Sequence, residues 1–482
     1  MEIIHITAEC YPAAKAGGLG DVAGALPKYL NKLGHSSSVI LPYYQTSWLQ
    51  SATTTPVFEG SAPFGTDSFF FRVHSLKKPE LGFPLYLIEI PGRFDRPGVY
   101  IDPWSGHPYW DEKERFFSFQ IAALEWLTQN DLEPDVIHCH DHHTALVPFM
   151  MSHCFRFDEF AQTPSVLTIH NGEYQGRHDI GSYAILPAFN LSKIGLLDWN
   201  GSLNSLAAGI KSAWRVTTVS KGYMDELLEN CHGLETLLQH EQQKTLGILN
   251  GIDTEVWNPA TDEYLDKNYS KKNYKTGKKL NKEQLCSEFE LDAKKPLFSF
   301  IGRLVREKGA DLLPGLIQRC REEGLDASFF VLGTGDPALH EIFRQLQSEM
   351  MGYFDTRLEY NEKLAHKVYA GSDFILMPSR VEPCGLNQLY SMRYGTVPLV
   401  RNTGGLADTV IDIDEENGYG LVFDDFNLDQ AFNAVKRGVE FFYKKEFFEN
   451  RRKAIMDLDF SWEKAAENYV ELYQSLNQTI GK

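Results

Sequence analysis

Short apolar runs that end in glycine, histidine or acidic residues recur along the chain, and most precede a stretch with helical spacing. The first run, Ile3–Thr7, leads through a glycine-rich loop to a helical stretch over 22–33 that stops at Gly34. Another apolar run follows at Ser38–Leu41. Strand, loop, helix and strand in this order predict parallel sheets with helices on both faces, the doubly wound α/β class.

The same alternation continues to the end of the chain. Further strands are predicted at 135–138, Ser165–Ile169, Arg215–Val219, Pro296–Ile301, Ser328–Leu332, Phe374–Met377 and Val397–Val400. A chain of 482 residues exceeds what one hydrophobic core usually serves. We therefore predict an N-terminal Rossmann-like domain over 1–245, a C-terminal one over 246–460, and a last helix within 461–482 that packs back on the first domain.

The net charge limits the possible binding partners of the protein, and the cysteine pattern indicates its cellular compartment. The formal net charge of −18 argues against a general nucleic-acid or membrane binder, because phosphate surfaces need a broad basic face. The seven cysteines are scattered and form no Cys-x-x-Cys pair, which is typical of a reducing compartment. The start of the chain lacks the basic and long apolar parts of a signal peptide. We expect a cytoplasmic protein, and its oligomeric state stays open, a homo-oligomer included.

The stretch after the apolar run Phe374–Met377 combines an acid with turn-forming residues. Glu382 is followed by Pro383, Cys384 and Gly385, and a helix is predicted to begin near Gly385. The carboxylate would then lie beside free N–H groups at the helix start, where negative charge is favoured. A ligand-binding acid and a plain helix cap are both compatible with this pattern.

The first loop also carries candidate ligand-binding residues. Clustered glycines, Gly17 and Gly18 among them, allow close approach of a ligand, and Lys15 adds a mobile positive charge. The glycine spacing misses the dinucleotide fingerprint by one position, and the second strand lacks the acid expected to hold a ribose. Nicotinamide chemistry is therefore disfavoured.

A histidine-rich segment follows the strand at 135–138. His138, His140, His142 and His143 surround Asp141, and such residues can ligate a metal. The first two share one strand face, however, whereas the other two begin a helix and point elsewhere, so we predict no metal site. Core packing for some histidines, and a cleft position for Asp141 at the strand end, are the favoured interpretations.

Other predicted strands end in residues of the same kinds. His170 follows the strand Ser165–Ile169 as Asp141 follows its own, and it is either a structural histidine or a cleft residue. In the second half, Arg303 and Lys308 follow one strand and could converge on a diphosphate, or both could be solvated. Thr403, Gly404 and Gly405 open a helix and resemble an anion-binding cradle.

The segment between the two halves is polar and rich in lysine. We interpret it as a solvated arm, with a surface that contacts sugar or phosphate as the alternative. Its lysines are Lys267, Lys271, Lys272, Lys275, Lys278, Lys279 and Lys282.

Taken together, these motifs resemble the bacterial glycogen synthases and plant starch synthases. The resemblance covers nearly the whole chain, and Lys-x-Gly-Gly-Leu-Gly-Asp paired with Glu-Pro-Cys-Gly-Leu makes it specific. The segments that carry it are 15–22, 135–141, 168–171, 247–253, 378–386 and 403–410.

This resemblance implies the GT-B glycosyltransferase architecture, with two Rossmann-like domains facing across a cleft. It also implies transfer of glucose from ADP-glucose to the non-reducing end of an α-1,4-glucan, with retention at the anomeric carbon and without a metal or cofactor. Cations of the chain itself would then neutralise the diphosphate.

The resemblance also implies individual roles. Glu382 and His170 would contact the donor glucose, Asp141 would bind near the reacting sugar, and Arg303 and Lys308 would hold the leaving phosphates. The remaining donor-binding residues implied are Lys15, Gly17, Gly18, Tyr360, Cys384, Gly385, Leu386, Thr403, Gly404 and Gly405, and Asn204 is the implied acceptor-binding residue.

Three positions depart from the family pattern. Asn387 stands where many relatives have threonine, Ala207 where a lysine is expected, and Tyr390 where the wider superfamily has a second glutamate. Two other functions also fit the sequence: a related transferase with UDP-glucose or a small sugar as substrate, and a catalytically idle glucan-binding protein.

Overall fold

The computed structural model describes residues 1–76 and 78–480, which form two compact units. Unit 1 comprises Met1–Val219, Met224–Leu249 and the helix that begins at Trp462, and unit 2 comprises Ser220–Tyr223 and Asn250–Ser461. Among the described helices, none has the length and apolar character that crossing a bilayer requires.

The first half of the chain supplies most elements of unit 1. Its strands are β1 (Glu2–Ile6), β2 (Ser36–Pro42), β3 (Thr55–Phe64), β4 (Asp67–Leu76), β5 (Leu85–Glu89), β6 (Val136–His140), β7 (Ser165–Ile169), β8 (Arg177–Asp179), β9 (Asp198–Trp199), β10 (Ser202–Asn204), β11 (Arg215–Thr218) and β12 (Thr245–Gly247). The helices of this region are α1 (Gly18–Lys32), α2 (Ser47–Ser51), α3 (Glu112–Gln129), α4 (Val147–His153), α5 (Ser205–Ser212), α6 (Lys221–Glu229) and α7 (Glu235–His240).

The main sheet of unit 1 is mostly parallel, as the sequence predicts. Its order is β12-β11-β7-β6-β1-β2-β5-β4-β3. β1 pairs in parallel with β2 on one side and with β6 on the other, so the strand order reverses at β1. Open α/β sheets bind ligands at the carboxyl ends of strands beside such a reversal.

One edge of this sheet is an antiparallel hairpin that our sequence analysis did not predict. β3 pairs with β4, and β4 with β5, in antiparallel register. The turn holds Gly65 at φ +65°, a left-handed conformation that suits glycine. Many side chains of β3 are exposed, so this strand lacks the continuous apolar run by which the buried strands are recognised.

The last helix, α16 (Trp462–Ile480), returns to unit 1, which confirms that part of the predicted fold. It packs against α1 and the sheet in one apolar cluster. The cluster includes Ile3, Val22, Leu26, Tyr29, Val136 and Val166, together with Trp462, Ala466, Tyr469, Tyr473 and Leu476 from α16.

Unit 2 is a second doubly wound α/β unit. Its helices are α8 (Tyr274–Glu288), α9 (Leu313–Glu322), α10 (Pro337–Glu349), α11 (Glu362–Gly371), α12 (Asn387–Arg393), α13 (Gly404–Thr409), α14 (Leu428–Tyr443) and α15 (Lys445–Ile455). Its strands are β13 (Leu297–Ile301), β14 (Ser328–Leu332), β15 (Phe354–Arg357), β16 (Phe374–Met377), β17 (Val397–Arg401) and β18 (Leu421–Phe423).

The sheet of unit 2 is parallel throughout its described strands. Its order is β15-β14-β13-β16-β17-β18. β13 pairs with β14 on one side and with β16 on the other, so the reversal lies between the loops that carry Lys308 and Glu382. The apolar sequence of β16 is buried along its whole length, as expected for a central parallel strand.

The lysine-rich segment is a solvated arm only in part, because two of its lysines are buried. Much of it forms α8, in which Lys278 and Lys282 are only 3% and 7% exposed. The Lys282 Nζ binds Asp373 Oδ2 at 2.5 Å. A run of lysines at helical spacing has the same pattern whether its ammonium groups reach water or buried acceptors, so the sequence could not distinguish the two.

The Lys278 ammonium holds the ends of two helices. It donates to the carbonyl oxygens of Ala370, in the last turn of α11, and of Tyr394, which caps α12, at 2.9 and 3.1 Å. It also donates to Thr396 Oγ1 at 2.7 Å. Helix C-termini carry partial negative charge, which favours a cation there, although burial lowers the pKa of Lys278 well below its usual value.

We predict that Lys278→Met lowers the free energy of unfolding of unit 2 by about 2 kcal/mol, because buried carbonyls lose their donor. Urea unfolding followed by fluorescence measures this change. The control is Lys279→Met, since the Lys279 side chain is 73% exposed and should contribute within about 0.5 kcal/mol. Equal effects of the two substitutions would contradict a special role for Lys278.

Candidate active site

Asp141 and His170, both predicted from strand ends, lie together in unit 1. The backbone N–H of His170 donates to Asp141 Oδ1 at 2.7 Å, and that of Asn171 does so at 3.4 Å. Asp141 has a φ of +55°, a left-handed conformation that aspartate tolerates better than most residues. Burial raises the pKa of the Asp141 carboxyl to about 7, although these hydrogen bonds favour its charged form.

The histidines near Asp141 fall into two separate groups, as predicted, but His142 and His143 lie in a turn and do not begin a helix, because α4 starts only at Val147. His138 and His140 lie on one face of β6 and pack with His5 of β1. His142 and His143 lie beside Glu112, the first residue of α3, with 3.3 Å between His142 Nε2 and Glu112 Oε1. Both ring nitrogens of His138 and of His140 already take part in hydrogen bonds, so a cation could bind there only by breaking them.

The glycine loop after β1 is organised by Glu9, a residue that our sequence analysis missed. Glu9 Oε2 accepts hydrogen bonds from the N–H groups of Ala16 and Gly17, at 2.6 and 2.7 Å. The Gly17 amide is therefore already used within the protein, and the role of Gly17 as a donor-binding residue stays a prediction. Gly18 begins α1, and the space beside its Cα is open. The sequence signal that could have identified Glu9 was its position, three residues after the end of the buried strand β1.

Lys15, in the same loop, forms a partly exposed ion pair. Its Nζ lies 2.7 Å from Asp21 Oδ1, and both side chains are partly exposed. An exposed ion pair of this kind contributes little to stability. Breaking this pair would therefore cost little free energy, and the role of Lys15 in ligand contact stays a prediction.

A small hairpin over residues 100–109 contacts Glu9 through Tyr100. Two exposed tryptophans, Trp104 and Trp110, lie in or directly after it. Tyr100 Oη donates to Glu9 Oε1 at 2.8 Å. Hydrogen bonds between Asp102 and His107, and between Tyr100 and Tyr109, close the hairpin. Trp104 and Trp110 are 82% and 88% exposed. Such large exposed apolar faces are common at binding surfaces, and our sequence analysis missed this one.

Asn204, the predicted acceptor-binding residue, has a structural position at the start of α5. Its side chain is buried, accepts a hydrogen bond from Ala207 N at 2.9 Å and donates to Gln175 Oε1 at 2.9 Å. It is the N-cap of α5, which explains asparagine at this position. Both side-chain polar atoms of Asn204 are thus used within unit 1, and its role as an acceptor-binding residue stays a prediction. Ala207, where the family pattern has lysine, is fully buried.

In unit 2, Glu382 is bound by an ammonium and a hydroxyl. Lys308 Nζ lies 2.8 Å from Glu382 Oε1, and Ser379 Oγ donates to Oε2 at 2.8 Å. The expected contact with a helix start is wrong, because α12 begins only at Asn387 and its N–H groups do not reach this carboxylate. Lys308 and Glu382, which were predicted from separate loops, thus form an ion pair at the strand reversal of unit 2.

Glu307 holds the predicted phosphate-binding cations in one group. Arg303 Nη2 lies 3.4 Å from Glu307 Oε2, and Lys308 Nζ lies 3.8 Å from Glu307 Oε1. The Arg303 side chain is 65% exposed, so it can turn towards a ligand. Our sequence analysis missed Glu307, whose only signal was its place between the two cations.

The Thr403–Gly405 segment packs backbone to backbone against the Glu382 loop. Gly405 N donates to Glu382 O at 3.0 Å, so its predicted contact with phosphate is corrected. Gly404 has a φ of +46°, and a Cβ on it would lie 2.2 Å from Glu382 O. A Cβ on Gly405 would lie 2.0 Å from Cys384 O. Glycine is therefore required here for loop packing as well as conformation.

The remaining predicted donor residues of unit 2 follow the carboxyl ends of β15 and β16. Cys384 is buried, which raises the pKa of its thiol to about 12, so it is inert as a nucleophile. Gly385 has a φ of +72°, and Leu386 is half-buried. Tyr360 follows β15, is 81% exposed and donates from Oη to Glu362 Oε2 at 3.4 Å. Asn387 donates to Ile301 O at 2.6 Å, which links the loops after β13 and β16.

Comparison with known proteins agrees with this arrangement. Residues 2–240 match the starch synthase catalytic domain family, and residues 281–477 match glycosyl transferases group 1. The glycogen synthase of Flavobacterium johnsoniae is 46% identical over 479 residues, which cover 99% of this chain and 100% of that protein. The chain belongs to the glycogen synthase family.

Other relatives and solved structures support the family assignment. A glycogen synthase of Alkaliphilus metalliredigens is 37% identical over 99% of this chain and all of that protein. The catalytic domain of starch synthase IV from Arabidopsis thaliana, bound to ADP and acarbose, superposes with a TM-score of 0.87 at 31% identity, covering 100% of this chain and 99% of that one.

A more distant structure supports the fold alone. Sucrose-phosphate synthase from Thermosynechococcus elongatus has a TM-score of 0.59 at 16% identity, covering 99% of both chains. The chain is a glycosyltransferase of the GT-B fold class, which confirms the resemblance inferred from its motifs.

We predict a pH signature from Asp141. Its pKa rises to about 7 in the folded protein, so the stability that its protonated form contributes is present at low pH and is lost as pH rises through 7. Asp141→Asn cannot ionise and should gain thermal stability relative to the parent between pH 5 and pH 8. Apparent Tm values at both pH values test this, with Asp158→Asn on the exposed surface as the control. A Tm difference that does not change with pH would contradict the prediction.

Proposed function

We propose that this chain transfers glucose from ADP-glucose to the non-reducing end of an α-1,4-glucan and retains the anomeric configuration. The observation that carries the proposal is its full-length similarity to starch synthase IV bound to ADP and acarbose. The named glycogen synthases, aligned over nearly all of this chain, support the same reaction.

The charge group of unit 2 supports a role for the chain's own cations at the diphosphate. Arg303 and Lys308 lie in one loop and share Glu307 as their common partner. We propose that both cations bind the phosphates and stabilise the charge that develops when ADP leaves. Because the described chain supplies these cations itself, the reaction should proceed with divalent metals removed.

The partners of Glu382 support a role without covalent chemistry. A carboxylate bound by the Lys308 ammonium and the Ser379 hydroxyl is a weakened nucleophile, because both oxygens already accept hydrogen bonds. A double displacement would also need a second carboxyl about 5 Å away across the anomeric carbon. We propose that Glu382 accepts hydrogen bonds from glucose hydroxyls, while the departing ADP takes the proton of the incoming glucan hydroxyl on the same face.

In unit 1, we propose that His170 and Asp141 lie next to the donor sugar. Burial lowers the pKa of His170 to about 3, so the ring is neutral and contributes a hydrogen bond rather than a charge. Lys15 and the Gly18 N–H would bind phosphate, and Tyr360 of unit 2 would stack on adenine.

The decisive assay measures ADP released from ADP-glucose with glycogen and EDTA present. We expect turnover in EDTA, lower turnover with UDP-glucose, and little release without glucan. The product should be cleaved by an enzyme specific for α-1,4 linkages. Preferred use of UDP-glucose or of a small sugar acceptor would redirect the proposal to a related transferase. Glycogen binding without nucleotide turnover would support an idle binding protein.

Lys308→Ala should lower kcat by about a hundredfold, because charge on the leaving group is stabilised most in the transition state. Lys363→Ala, on the exposed face of α11, is the matched control and should leave kcat unchanged. A higher KM with an unchanged kcat would indicate uniform binding instead. Glu382→Ala should also lose activity, and rescue by azide would overturn the noncovalent role.

A further inference from the structure

Three histidine rings in unit 1 form one hydrogen-bonded row. His5 Nδ1 lies 3.1 Å from His140 Nε2, and His140 Nδ1 lies 3.1 Å from His170 Nε2. His5 is in β1, His140 is the last residue of β6, and His170 directly follows β7. The row therefore runs from inside the sheet to the edge that carries the candidate active site.

All three rings are neutral. Burial lowers the pKa of His5 and of His170 to about 3, and that of His140 well below its usual value. A neutral imidazole has one N–H donor and one bare nitrogen that accepts. Each hydrogen bond in the row needs one donor and one acceptor. Only two arrangements satisfy both bonds: all three protons on Nδ1, or all three on Nε2.

The buried end of the row selects between these arrangements. His5 Nε2 is buried and has no hydrogen-bond partner among the described residues. With protons on Nε2, this atom would be a buried N–H without an acceptor. With protons on Nδ1, it is only a lone pair without a donor. Buried N–H groups are left unpaired more rarely than acceptors, so the Nδ1 arrangement is favoured.

The proton position favoured at His5 also determines the proton position at His170, the last ring of the row. His170 Nε2 faces His140, so Nδ1 is the ring nitrogen that His170 can offer to a ligand, and it carries the proton in the favoured arrangement. We propose that His5 and His140 are positioning residues that hold His170 as an N–H donor towards an oxygen of the donor sugar. The sugar as ligand rests on the proposed function, whereas the proton position does not.

His138 provides a matched control within the same cluster. It is as buried as His140 and lies on the same face of β6. Its hydrogen bonds go elsewhere, with Nδ1 2.7 Å from Tyr473 Oη and Nε2 2.6 Å from Thr168 Oγ1. Substituting His138 should disturb packing without removing a bond of the row.

The test is a long-range proton–nitrogen NMR correlation on the full chain labelled with ¹⁵N-histidine, without ligand. The His170 signals are assigned by their loss in His170→Gln. We expect a protonated Nδ1 and a bare Nε2 at His170. A protonated Nε2 would overturn the proposal, and this result needs no variant of His5.

Two substitutions of His5 then test the coupling. His5→Phe removes the donor at the start of the row and also the buried atom that selects the arrangement, so the His170 signals should move towards a mixture of both proton positions. His5→Asn keeps an N–H donor near Nδ1 and should restore the parent spectrum. His138→Asn should lower the Tm but leave the His170 signals in place. Unchanged signals in His5→Phe would overturn the coupling.

Kinetics separate this inference from the proposed function. We expect kcat with ADP-glucose to fall about tenfold in His5→Phe, the effect of losing roughly one hydrogen bond in the transition state, and to recover in His5→Asn. An unchanged kcat in His5→Phe with altered signals would overturn the catalytic role of the row. If the parent turns over no sugar nucleotide, the proposed function fails, whereas the NMR result still decides the proton position.

Discussion

Where the connections from two adjacent parallel strands run to opposite sides, a crevice opens at the carboxyl ends of the strands. Both units carry candidate site residues at such a point. In unit 1, the reversal at β1 brings the glycine loop next to Asp141. In unit 2, the reversal at β13 joins Lys308 to Glu382. The remaining architecture, including the helices on both faces of each sheet, serves to bury these strands so that their ends are fixed.

This constraint explains how much of the molecule could be predicted from its sequence. The strands that carry the sites are buried on both faces, so their continuous apolar runs predicted them well. The β3–β4 hairpin at the sheet edge is half-exposed and lacks that pattern. Polar residues at strand ends likewise predicted the positions of Asp141, His170, Lys308 and Glu382 in the fold. Their catalytic roles stay predictions.

The partners of these residues could not be predicted, because they come from distant parts of the chain. Glu9 accepts a hydrogen bond from the amide of Gly17, and the Glu382 carbonyl accepts one from the amide of Gly405, so both of these donors are already used within the protein. Lys278 has the sequence context of a surface lysine but lies in the interior. In each case a tertiary contact used a group that the local pattern left unassigned. Spacing along the chain therefore identifies which groups exist more reliably than which of them remain available.

The packing of Gly404 and Gly405 against the Glu382 loop has a mechanical consequence. Each glycine lacks the Cβ that would separate the two backbones, and a direct N–H to carbonyl bond joins them. We therefore expect the two segments to move together. A displacement at the start of α13 would therefore also move the backbone that carries Glu382, so a change at either segment is transmitted to the other.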